Sequence, residues 1–209
     1  MKNGFVLTLA LLAAGCASTP AVDMNEPRRV VGTENAVRVD AQVFGESLTM
    51  STTVPVKYDI TNSRQTPIAF ADLVPDATYD AETQTVTVSL GSEVPGNQLI
   101  PRLVTIAPGE KKSFSTVARV NILIGATATP TSRFPNALRL KLSFLGDTEP
   151  FRQLLDIPER AVHDPKLADT LFTAWLEKNE TVYTNTVPMR WMVAPDSPPP
   201  SARSRRRRG

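Results

Sequence analysis

Cysteine and histidine each occur once in this chain of 209 residues, and aromatic side chains make up only 6% of it. A single cysteine, Cys16, excludes an intramolecular disulfide, so the folded part rests on its core alone. One cysteine and one histidine together exclude a tetrahedral zinc site built from those ligands. The same scarcity leaves no Cys/His nucleophile pair, because the cysteine has another assignment. Glycine-rich phosphate loops are missing. Nor is any apolar run long enough to cross a bilayer as a finished helix.

What stands at the start is a short apolar stretch, Phe5 to Cys16, preceded by Lys2 and closed by small residues before the cysteine. That arrangement has the physics of an export signal. Its ending, Leu12-Ala13-Ala14-Gly15-Cys16, resembles the lipobox of bacterial lipoproteins. It differs at Ala13, where the family more often has Leu, and in having the lone Lys2 as its charged region. The resemblance covers residues 1 to 18. It implies a lipoprotein signal peptide over 1–15 and a Cys16 thiol joined to diacylglycerol, with an N-acyl lipid on the new terminus. The alternative is an ordinary secretory signal that contains a cysteine. Each buried acyl methylene contributes about 0.8 kcal/mol, so two or three chains hold a protein to a membrane for practical purposes permanently. Ala17 and Ser18 stand where the family's inner-membrane retention mark, an Asp after the cysteine, is absent. By that resemblance the mature chain goes to the outer membrane and faces the periplasm.

Charge is divided unevenly along the chain. Setting aside Lys2 and Arg203, Arg205, Arg206, Arg207 and Arg208 leaves 17 of the 23 basic residues against 21 acids, so the body is about −4 and the tail +5. This reading places the basicity in the tail and not on a binding face. Residues 16–36 are small, polar and twice broken by proline, which predicts a flexible lipidated tether. Residues 194–209, rich in Pro and Arg, predict a disordered tail. Its arginines are candidate anion contacts. In an exported protein the anion is lipid phosphate, surface glycan or an acidic protein, and no nucleic acid partner is expected. A solvated tail without a partner is the plainer alternative.

The domain is expected over 37–193. Val37, Val39, Ala41 and Val43 alternate with Arg38, Asp40 and Gln42, the period of a strand with one face on a core. Val54, Val56, Tyr58 and Ile60 repeat it, with Pro55 expected at a strand start or an edge. Further strands are predicted at Pro67–Phe70, Ala77–Tyr79, Thr85–Leu90, Leu103–Ile106, Lys111–Val120 and Leu138–Phe144, then at Thr181–Val187. Ala107-Pro108-Gly109-Glu110 suits a type II turn. Six to eight short strands with turn signals between them predict a mainly β fold, an antiparallel sandwich. Residues 37 to 145 resemble bacterial immunoglobulin-like or fibronectin-like domains, which implies a fold class and no functional residues.

One accessory α-helix is predicted at about 165–178, started by Asp164 as N-cap and Pro165 at the first position. Leu171 and Trp175 lie on its apolar stripe, with Leu167, Ala168, Phe172 and Leu176 around them. The stripe covers a core or, as the sharper alternative, offers Leu171 and Trp175 as a partner surface.

Catalytic candidates are few. His163 is a loop residue or a catalytic base. Asp76, Asp80 and Glu82 cluster without calcium-loop spacing, and no metal is expected. Asp147 with Glu149, or Asp156 with Glu159, are the carboxylate pairs available for glycoside chemistry. The expected function is a lipid-anchored, non-enzymatic interaction or assembly module with an envelope protein or surface glycan as partner. Alternatives are an envelope hydrolase, or hydrolase-accessory protein, using carboxylate chemistry, and a purely structural envelope protein.

Overall fold

The computed structural model describes residues 28–73, 75–96, 99–122 and 134–192. The expected signal peptide, Cys16, the first part of the tether and the tail with Arg203, Arg205, Arg206, Arg207 and Arg208 lie outside the described residues.

The fold is mainly β, with several antiparallel sheets. Alternation builds the first sheet from β1 (Arg28–Glu34), β2 (Val37–Val43), β4 (Ser51–Asn62) and β10 (Lys111–Asn121). They run in the order β1-β2-β4-β10, each antiparallel to its neighbour. The second sheet contains β5 (Ile68–Ala71), β6 (Asp76–Asp80), β7 (Thr85–Leu90), β9 (Leu103–Ile106) and β11 (Ala137–Leu145). Its order is β6-β7-β11-β5-β9, with β13 (Asn179–Tyr183) and β14 (Val187–Pro188) also on β11. Two small pairs complete it: β8 (Leu99–Pro101) with β12 (Ala161–His163), and β3 (Ser47–Leu48) with β15 (Arg190–Trp191).

The inward residues of the two large sheets share one core. Val39, Val56 and Ile60 from the first sheet meet Val86, Val88, Leu138, Leu140 and Phe144 from the second. A second core lies on the other side of β5. Ile68 and Phe70 point into the first core, while Ala69 and Ala71 belong to the second, so all four residues of this strand are buried. The second core is closed by a 3-10 helix, Glu149–Leu154, and by α1, Pro165–Lys178. Asp164 starts α1 as the sequence predicts, its carboxylate accepting the Leu167 N–H at 3.0 Å.

Several expectations are corrected. The tether over 16–36 is too long by its last nine residues, because β1 and the turn at Asn35 and Ala36 belong to the sheet. Val30 and Val31 are adjacent and Gly32 interrupts the pattern, so the period of two does not show in β1. Gly32 has a reason to be glycine. A Cβ there would lie 2.2 Å from the Tyr183 carbonyl oxygen, where β1 closes against β13.

Pro55 is not at a strand start. It is the fifth residue of β4, opposite Val117 of β10, and lies one residue outside the ladder to β2, which ends at Val56. Its carbonyl accepts from Phe44 N–H at 2.9 Å, so its missing donor faces the chain just past the last residue of β2. The sheets are not wholly antiparallel, since β7 and β11 pair in parallel, as do β3 and β15. Nothing in strand periodicity distinguishes the two directions. The chain between β7 and β11 visits β8, β9 and β10 first, and a parallel pair needs such a long crossover.

The turn at Ala107–Glu110 forms as expected, with Glu110 N–H on the Ala107 carbonyl at 3.0 Å and Gly109 at φ 73°. It joins strands of different sheets. Asn62, fully buried, secures that corner by donating to the carbonyls of Thr66 and Ile106 and accepting from Arg64 N–H.

Candidate functional site

The outward half of the alternation in β2, β4 and β10 forms an open, charged face. Register places its residues in rows across the four strands. Val31, Asp40, Asp59 and Ser113 make one row. Thr33, Arg38, Thr61 and Lys111 lie on one side of it, and Arg29, Gln42, Lys57 and Ser115 on the other. Two aspartates directly opposite on neighbouring strands repel one another. Here each is answered by cations.

Arg29 grips Asp40 with a fork, its Nε donating to Oδ1 at 2.8 Å and Nη2 reaching the second oxygen. Arg38 adds a contact of 3.3 Å. On the other strand, Lys111 Nζ approaches Asp59 at 2.7 Å and the Ser113 hydroxyl donates to it at 2.6 Å. The Arg29 hydrogen bond holds the Asp40 carboxyl down at about 2. Asp59 is lowered by Lys111 and Ser113, against smaller opposing effects of burial and of the Asp40 charge. Both groups are anions at neutral pH.

Asp40 therefore predicts an acid limb with a definite sign. Its folded value of about 2 lies below the ordinary 3.8, so its contribution to stability is present above pH 3.8 and is lost as pH falls toward 2. Asp40→Asn is expected to lower stability at neutral pH and to flatten its decline between pH 4 and 2. Acid titration of the denaturation midpoint reads both, and an unchanged slope refutes the pairing.

Around the two aspartates stand Arg29, Arg38, Lys57 and Lys111, all exposed, and exposed Arg119 lies on the same face six residues farther along β10 from Ser113. Five cations against two anions leave the face positive on a body whose overall balance is acidic. This corrects the reading that places basicity only in the tail. Phe44, Pro55 and Val117 add an apolar corner, and Lys57 Nζ lies 5.7 Å from the centre of the Phe44 ring. The hollows here are shallow. One of about 450 Å³ lies over Asp40, Lys57, Asp59 and Ser113, and a neighbour of about 440 Å³ over the apolar corner.

The side chains singled out in the sequence are dispersed. Leu171 and Trp175, the candidate partner surface, are 5% and 0% exposed and lie in the second core. They cover a core, and the apolar groups α1 leaves exposed are Phe172 and Leu176. His163 is exposed and pairs in register with Leu99. Asp147 accepts from Glu149 N–H and lies 3.5 Å from Lys178, while Glu149 pairs with Arg152. Asp156 accepts from Thr105 N–H, and Glu159 is exposed. Asp80 turns onto Glu82 N–H and the Thr83 hydroxyl. Among the described residues no group of three or more His, Cys, Asp or Glu side chains is placed to hold a metal ion.

The charged rows were missed because they are made by register. Each polar residue was visible in its own strand, but their assembly required knowing which strands pair. No protein-family model, curated protein or solved structure matches the chain.

Proposed function

We propose that the chain is a lipid-anchored protein of the bacterial outer membrane, facing the periplasm, with Cys16 carrying a diacylglyceryl and an N-acyl group. Its body is an immunoglobulin-like sandwich with one accessory helix, and it acts as a non-enzymatic interaction or assembly module. The binding surface is the outward face of β1, β2, β4 and β10, and the partner is an acidic envelope protein. A surface glycan is the other anionic candidate, and the experiment below separates the two.

The observation that carries this reading is the exposed positive face with its own aspartates already neutralised. Such a face holds a fixed donor array toward solvent and attracts an acidic surface, with the apolar corner at Phe44, Pro55 and Val117 as an anchor. A hydrolase using Asp40 and Asp59 needs one of the two to keep a proton at neutral pH. Both are held as carboxylates, which weighs for the binding reading.

A photo-crosslinking residue at Ser115 tests it in intact cells, with the same residue at Phe172 as the control on the opposite layer. An adduct to a protein is expected from Ser115 only. The double change Arg38→Glu and Lys57→Glu is expected to remove at least about 2 kcal/mol of affinity, or a fall of more than tenfold, as like charges then meet across the interface. Carbohydrate in the adduct points to the glycan. Adducts from Phe172 alone refute the assignment of the face.

A further inference from the structure

One end of the molecule gathers features that the sheet face does not explain. Both described termini leave from it. β1 enters there at Arg28, whose guanidinium lies 3.9 Å from Glu46, and Arg190 N–H bonds the Glu46 carbonyl at 2.7 Å. At the other terminus Met192 N–H bonds the Leu48 carbonyl at 2.8 Å. Two residues along from Leu48, the Met50 carbonyl accepts from Ile122 N–H at 2.9 Å.

The same end exposes large apolar side chains. Met50 is 59% exposed, Met192 53% and Phe134 37%. Phe134 stacks on Trp191, ring centres 5.4 Å apart and planes within 18°. Flexible methionines and an amphipathic tryptophan suit the boundary between lipid and water. Arg119 and Arg190 are exposed near this end. Of its acids, Glu46 is held by Arg28, Asp80 is turned onto its own loop, and Glu82 is exposed in that loop.

We propose that this end rests on the bilayer that holds the lipid anchor, with Met50, Phe134, Trp191 and Met192 entering the interface of an anionic phospholipid surface. The proposal rests on the lipoprotein reading above. Cys16 and Arg28 are twelve peptide steps apart, so their separation is at most roughly 40 Å. Because β1 runs away from this end, a domain turned over would use about 20 Å of that reach doubling back along the strand. The run Arg203 to Arg208 begins eleven positions after Met192 in sequence and carries five positive charges. Anionic headgroups are the complement to that charge.

The two tryptophans make the test internal, since Trp175 is fully buried in the second core whereas Trp191 is half-buried at the edge of the first. The full mature lipidated chain is purified from membranes and placed in vesicles of zwitterionic and anionic phospholipid with brominated acyl chains. Wild type is compared with Trp191→Phe. The expected result is quenching of the emission that Trp191 supplies, with the residual Trp175 emission of the variant unaffected. Met50→Glu with Met192→Glu is expected to abolish the quenching while the protein still floats with the vesicles. Flotation without quenching of Trp191 overturns the docking and leaves the lipid anchor standing. Absence of acyl mass on Cys16 removes the reading beneath it and overturns both.

Discussion

Trp175→Ala is expected to destabilise the domain by about 3 to 5 kcal/mol, the range for removing a large buried aromatic. Trp175 is fully buried, meets Phe151 edge to face with ring centres 5.4 Å apart, and donates its indole N–H to the Ser92 carbonyl at 3.1 Å. Alanine leaves a cavity between α1 and β5 and an unpaired carbonyl at Ser92. Domains of this kind are stable by only about 5 to 15 kcal/mol in all, so the loss approaches unfolding. Leu176→Ala, one residue along on the exposed side, is expected to stay within about 0.5 kcal/mol. Urea denaturation of the two variants reads the contrast. Equal midpoints refute the assignment of Trp175 to a core.

Gly32→Val acts by overpacking. A Cβ at this position would fall 2.2 Å from the Tyr183 oxygen and 2.7 Å from its carbonyl carbon. Both strands are fixed from behind, β1 by its ladder to β2 and Tyr183 by its register with Lys141. No side chain can rotate aside, so the sheets must part, at a cost of about 1 to 3 kcal/mol or more. The Asn185 contacts to Val31, which tie the two strands at 2.7 and 3.0 Å, are lost with it. Thr33→Ala, whose side chain is exposed, is expected to be silent. Hydrogen exchange locates the damage, with faster exchange in β1 and β13 and little change in β7.

Much of the fold was legible because period two and cap chemistry are local. The strands at Val37–Val43 and Leu138–Phe144, the hairpin of β6 and β7 and the start of α1 all follow from residues close in sequence. β1 was not legible, because its inward position at residue 32 is filled by the backbone of Tyr183 and carries no side chain to mark the alternation. The second core was half visible. The stripe on α1 asks for a cover, but that β5 is buried on both faces is a property of two layers meeting it.

Charge shows the same division. A count along the chain separates tail from body, yet it averages over faces, and only register gathers Arg29, Arg38, Lys57 and Lys111 around Asp40 and Asp59. The carboxylates proposed for catalysis from sequence neighbourhood lie in turns and helix starts. The pair that faces across two strands, Asp40 and Asp59, is 19 positions apart in sequence.

The lipid anchor is the claim on which location, partner and membrane contact all depend, and intact mass of the mature protein tests it most directly. The protein is taken from the membrane fraction and its N-terminal peptide sequenced by fragmentation. The account predicts a chain beginning at Cys16 with a diacylglyceryl group on Sγ and an acyl chain on the α-amino nitrogen, and loss of all lipid and of membrane flotation in Cys16→Ser. A mature chain that carries no lipid, or one that begins elsewhere and floats equally well as Cys16→Ser, contradicts it.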